Sequence, residues 1–131
     1  MPTVIHHFGM CTGVFVVSWA VFAGAAAPAG TLPKGDASHG KMLYQGCAAC
    51  HSIDENDIGP RHRGVVGRAA ASLPDYAYSA ALKRSGLTWD EITLDRWLTN
   101  PSALVPGTKM FFKIDDAQSR ADIIAYLEEQ K

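Results

Sequence analysis

Apolar and small residues return every three to four positions in several stretches of the C-terminal hundred residues, and no stretch alternates as a half-buried strand would. The pattern predicts a helix from Asp36 to Gln45, capped by Asp36, with Ala37, Gly40, Leu43 or Tyr44, and Cys47 along one side. Residues 76–84 form a second helix, entered through Pro74-Asp75 and stopped by Lys83, Arg84 and Gly86. Thr88 and Glu91 have capping-box spacing ahead of Ile92, Leu94, Trp97 and Leu98, and Asn100-Pro101 ends that segment. The last helix runs from about Asp116 to Glu129, with Ala117, Ala121, Ile124 and Leu127 at helical spacing. The fold class is all-α.

The N-terminal stretch breaks this pattern. Gly9 to Ala27 is almost wholly apolar, and no Lys, Arg, Asp or Glu precedes Lys34. An apolar core, Val14 to Phe22, is followed by Ala23-Gly24-Ala25 and Ala27-Pro28-Ala29, the layout of a secretory signal with small-residue cleavage sites. Its positive start is weak, resting on the α-amino group, His6 and His7. The run also approaches the ~20 residues that a helix needs to span a bilayer, so an uncleaved anchor is the alternative. We read residues 1–29 as an export signal, residues 30–131 as the working domain, and Cys11 as a bystander within the signal.

Composition narrows the function. With 131 residues, 47% hydrophobic and 19% charged, the chain makes one globular domain rather than a disordered segment. All 12 basic and 13 acidic residues fall in the working domain, a balance that argues against nucleic acid or a polyanionic partner. A domain of this size often depends on a staple, a metal or a cofactor. Its only cysteines are Cys47 and Cys50, in the run CAACH that ends at His51.

Three chemistries use cysteines at that spacing. A zinc site needs about four ligands, and beyond the cysteines the domain offers His39, His51 and His62 with no second pair at finger spacing. A dithiol redox centre sits at the end of a strand, and none precedes Cys47; a plain local disulfide is its structural counterpart. Haem fits best: two thiols at the end of a helix add to the two vinyl groups of one porphyrin, and the adjacent His51 is held over the iron. A second axial ligand is then required. Met110, in the loop PGTKMFF from Pro106 to Phe112, offers a soft, neutral thioether of the kind that raises a haem's reduction potential. A methionine beside two phenylalanines also serves simply to fill a core gap. Met42 stands too close to Cys47 to reach the far face.

Taken in order, GDASHGKMLY, CAACH, IGP, GVVGR, YAYS, GLTW, LDRWLTNP, PGTKM and RADIIAYL resemble a class I cytochrome c of the soluble mitochondrial and bacterial periplasmic type. The resemblance implies helices wrapped around one covalently bound haem c, with the first and last helices crossing. It makes Cys47 and Cys50 the thioether cysteines, His51 the proximal ligand and Met110 the distal one. Pro60 matches the proline whose carbonyl orients the axial histidine, and Arg68, Tyr78 and Trp89 fall where donors to haem propionates stand. Gly40 and Tyr44, with Ile123 and Tyr126, match the helix crossing.

The implied function is one-electron transfer between larger redox proteins in the periplasm by a monomeric carrier that is not an enzyme. Docking is expected near Lys109 and Lys113, extended by Arg61 and Arg63. Two departures stand out. Trp97 occupies the place of a tyrosine beside the methionine ligand, and Pro60-Arg61-His62-Arg63-Gly64 replaces Pro-Asn-Leu-x-Gly, which introduces His62 as a candidate rival iron ligand, with a satisfied or surface histidine as the favoured alternative. A haem enzyme or gas sensor, in which Met110 leaves the iron, and a thiol oxidoreductase without haem are the competing functions.

Overall fold

Short polar side chains set where the helices begin. The computed structural model describes Thr3 and residues 31–131, so the expected export signal, with Cys11, lies outside the described residues. Helix α1, Ala37–Leu43, starts where the Asp36 carboxylate accepts hydrogen bonds from the Ser38 and His39 amides at 2.8 and 3.2 Å. It tightens into a 3-10 turn, Tyr44–Gly46, that delivers Cys47. The second helix, α2, is only Ala80–Arg84. Residues 76–79 are not helical, against the expectation from the sequence, because Ser79 takes an extended conformation and caps the Leu82 amide with its Oγ.

Helix α3 spans Glu91–Thr99, with Asp90 rather than Thr88 as its cap; Asp90 accepts from the Thr93 amide at 2.7 Å. Thr88 instead pairs with Ala69 in an isolated antiparallel bridge. Asn100 ends α3 and, by accepting from the Ala103 amide, starts the short helix α4, Pro101–Leu104, which the sequence pattern did not predict. Proline at the first helical position forgoes a donor that has no partner there in any case. Helix α5, Ala117–Glu128, is capped by Asp116. There is no strand among the described residues, and no helix there is long and apolar enough to cross a membrane.

Helices α1 and α5 cross in backbone contact. A Cβ on Gly40 would stand 1.9 Å from the Asp122 carbonyl oxygen, so any side chain there forces the helices apart. Tyr44 packs against Tyr126 with ring centroids 5.2 Å apart, and Ile123, Ile124 and Leu127 seal the same core. Helix α3 joins α5 through Arg120, a buried guanidinium that donates to Asp95 at 2.7 Å and to the Ile114 and Asp115 carbonyls. A buried charge is tolerable when its donors are satisfied in this way.

Asp122 latches the crossing. Its carboxylate, 2% exposed, accepts from the Asp36 amide at 2.8 Å, the Gln118 side chain at 2.8 Å and His39 Nδ1 at 2.7 Å. These bonds, the one from His39 foremost, lower its pKa below the ordinary carboxylate value. A depressed folded-state pKa contributes stability above the unfolded value of ~3.9 and loses it as pH falls through the folded value. Asp122→Asn is therefore expected to be less stable than the parent near pH 7, with the gap closing as pH falls below the ordinary carboxylate range. Denaturant midpoints for both proteins across that range check this.

Candidate functional site

The cysteine segment continues the turn that ends α1. The Cys50 amide donates to the Cys47 carbonyl at 3.0 Å and the His51 amide to the same oxygen at 2.9 Å, so both thiols and the imidazole leave one tight turn. Neither cysteine is in a disulfide; Cys47 is partly buried and Cys50 exposed. Burial, and then the neighbouring Cys50, pushes the Cys47 thiol up to about 11.

His51 is fixed from two sides. Its Nδ1 donates to the Pro60 carbonyl at 2.7 Å, which leaves Nε2 as the free donor atom. Burial lowers the imidazole's pKa more than the Pro60 carbonyl and Asp57 raise it, so the ring is neutral near pH 7 and its Nε2 lone pair is available. Gly59 makes the nest for the ring: a Cβ there would lie 2.2 Å from His51 Cε1. The Gly59 amide ties the two segments together by donating to the Cys50 carbonyl at 2.7 Å.

Met110 comes from the loop between α4 and α5. Gly107, at φ +90°, turns the chain, and the Thr108 amide donates back to the Val105 carbonyl at 3.1 Å. The methionine sulfur accepts a hydrogen bond from Trp97 Nε1 at 3.1 Å. Trp97, 7% exposed on α3, packs against the buried Trp89 at a centroid distance of 5.0 Å. The sequence raised the question of what an indole does in that place: it donates to the thioether through its one N–H. Met42 is exposed.

These residues fit a covalently held haem on their own chemistry. Two free thiols stand in one turn, an oriented imidazole has Nε2 unengaged, and a soft thioether is held in place by a donor that leaves sulfur lone-pair capacity.

The expected propionate donors are arranged unequally. Arg68 donates to the Arg61 and Arg63 carbonyls, each at 3.0 Å, and so folds the loop around itself; Tyr78 lies near enough for the guanidinium to lower its pKa, although burial outweighs this and raises it. The Trp89 amide donates to the Arg68 carbonyl at 2.9 Å. Arg61 and Arg63 do not extend a free cationic patch, because Arg61 pairs with Asp75 and Arg63 with Asp54. His62 is engaged through Nδ1 with the Tyr44 hydroxyl at 3.0 Å and stacks on His51, an arrangement no local sequence signal indicated.

A family model described as cytochrome c matches residues 37–131, the whole span from α1 to the last residue. The chain belongs to the cytochrome c family. As a cytochrome c it has a covalently attached haem c, and Cys47 and Cys50 hold the cysteine positions of the CxxCH motif. It is 47% identical over 100 residues to cytochrome c2 of Rhodomicrobium vannielii, covering 73% of this chain and 80% of that one. Cytochrome c of Sesamum indicum is 41% identical over 102 residues, covering 74% and 92%. Among solved structures, cytochrome cH from Methylobacterium extorquens is similar at 48% identity and a TM-score of 0.71, covering 72% of this chain and 99% of that one. The helical architecture is that of the class I cytochromes c.

Proposed function

We propose that residues 30–131 shuttle single electrons between larger redox proteins in the periplasm, after residues 1–29 have directed export. The haem c would supply the ferric/ferrous couple, and the polypeptide would hold it through Cys47, Cys50, His51 and Met110. In this reading His51 Nε2 and Met110 Sδ would hold the haem iron, Pro60 orients His51 and raises its basicity, and Trp97 anchors Met110. Arg68, Tyr78 and Trp89 offer positive charge and N–H or O–H donors to the propionates, which need partners away from water.

The observation that carries this reading is the bond from His51 Nδ1 to the Pro60 carbonyl, because it commits the ring to ligate through Nε2 alone. With His51 and Met110 both holding the iron, no position on it would be open to a substrate, which supports a carrier rather than an enzyme. A mediated redox titration is expected to give a single wave with a one-electron slope, and peroxide is expected not to be turned over. Catalytic turnover by the intact protein would contradict the carrier reading.

Docking is proposed to run through the exposed Lys109 and Lys113, which flank Met110. Lys109 Nζ is held against the Ala77 carbonyl at 3.0 Å, which places its charge beside the loop that precedes α2. Clustered charge steers encounters even when net charge is only −1, and the steering fades as the Debye length falls below ~10 Å. We expect the bimolecular rate with the physiological partner to fall about 10-fold or more from low to high salt. Lys109→Glu with Lys113→Glu is expected to remove most of that dependence and leave the reduction potential nearly unchanged. Stopped-flow rates that are flat with ionic strength in the parent would reject this face. The carrier is proposed to act as a monomer.

A further inference from the structure

The ring beside His51 belongs to His62, where the family pattern has leucine. The two imidazoles lie nearly parallel, with centroids 4.0 Å apart and planes inclined by 22°. His62 is itself held on three sides. Its amide donates to the Ser52 carbonyl at 2.9 Å, its carbonyl accepts from the Val65 amide at 2.9 Å, and Nδ1 is bonded to the Tyr44 hydroxyl at 3.0 Å. Tyr44 is in turn packed edge-on to His62 and against Tyr126 on α5. A line of rings thus connects the helix crossing to the histidine of the CAACH motif.

We propose that His62 is a positioning residue for His51: locked by Tyr44, its ring fixes the plane of the proximal imidazole and, through its electron-rich face, favours the ferric state. This rests on the reading of His51 as an axial ligand. The electrostatics follow from ring charge distribution. A neutral aromatic face is electron-rich and attracts a positively polarised group stacked on it. Imidazole bound to ferric iron is more positively polarised than when bound to ferrous iron, so the stack stabilises the oxidised form more. Leucine provides comparable bulk but no such face. In His62, Nδ1 is taken by the Tyr44 hydroxyl and the flat face of the ring meets His51.

The test uses the holoprotein with three variants. His62→Leu is expected to move the ferric/ferrous equilibrium about threefold toward ferrous and to shift the ferric EPR g values, while the far-red band of methionine ligation stays. His62→Phe, which restores an aromatic face, is expected to recover most of both changes. Tyr44→Phe keeps both rings but frees the edge of His62, and is expected to broaden the g-value distribution. An unchanged equilibrium and unchanged g values in His62→Leu, or equal shifts in the leucine and phenylalanine variants, would overturn the proposal. Unchanged line widths in Tyr44→Phe would remove the locking role, even if the leucine variant did not fold. Absence of the far-red band in the parent would instead refute the ligation on which the inference rests.

Discussion

Replacing both Cys47 and Cys50 with serine is expected to release all haem from the polypeptide and leave the chain largely unfolded. The two thiols and His51 share one turn, through the amide bonds to the Cys47 carbonyl, so the thioether anchors and the imidazole are presented together. A domain of about 100 residues has a net stability on the order of 5–15 kcal/mol, and one this small often relies on a bound group for the larger part of it. A group that binds the folded chain and not the unfolded one stabilises by linkage, and covalent attachment makes that linkage independent of free concentration. Single substitutions keep one thioether and are expected to weaken attachment without abolishing it. Far-ultraviolet circular dichroism and acid-acetone extraction of each exported variant check this. Extraction-resistant haem in the double variant would show that the attachment lies elsewhere.

Met110→Ala is expected to lower the reduction potential on the order of 0.2 V, since axial-ligand choice spans about 0.8 V in haem proteins. That is on the order of a few thousand-fold in the ferric/ferrous equilibrium at about 59 mV per decade. The soft thioether favours ferrous iron, and water, hydroxide or a nitrogen ligand in its place does not. Trp97 Nε1 loses its sulfur acceptor and, being a donor only, does not take over the ligand's role. Carbon monoxide is then expected to bind the ferrous variant readily and the parent slowly. Equal rates in both would favour a sensor or a haem enzyme.

The parts legible in the sequence are those set by near neighbours. Asp36 and Asp116 cap the first and last helices because each precedes the amide it accepts from by two or three residues. The CAACH spacing and the PGTKM loop likewise bring their chemistry in five contiguous residues. What the sequence hid depends on chain segments that meet only after folding. The ion pairs of Arg61 with Asp75 and Arg63 with Asp54 cross 14 and 9 residues, so two arginines that read as a basic patch are neutralised. The stack of His62 on His51, and the latch of Asp122 on Asp36 and His39, follow from loop closure and helix crossing. At α2 the local signal was misread: Pro74-Asp75 looks like a helix entry, yet the cap is Ser79. Asn100 serves two helices at once, a double duty that its stop signal concealed.

One haem c is proposed to be held covalently by Cys47 and Cys50 and ligated by His51 and Met110. An optical spectrum of the ferric protein, taken on material whose haem has been challenged with acid-acetone, tests it most directly. Haem that stays with the polypeptide and a far-red band in the ferric form are the expected result. Haem that passes into the solvent, or a ferric spectrum without that band, would contradict it.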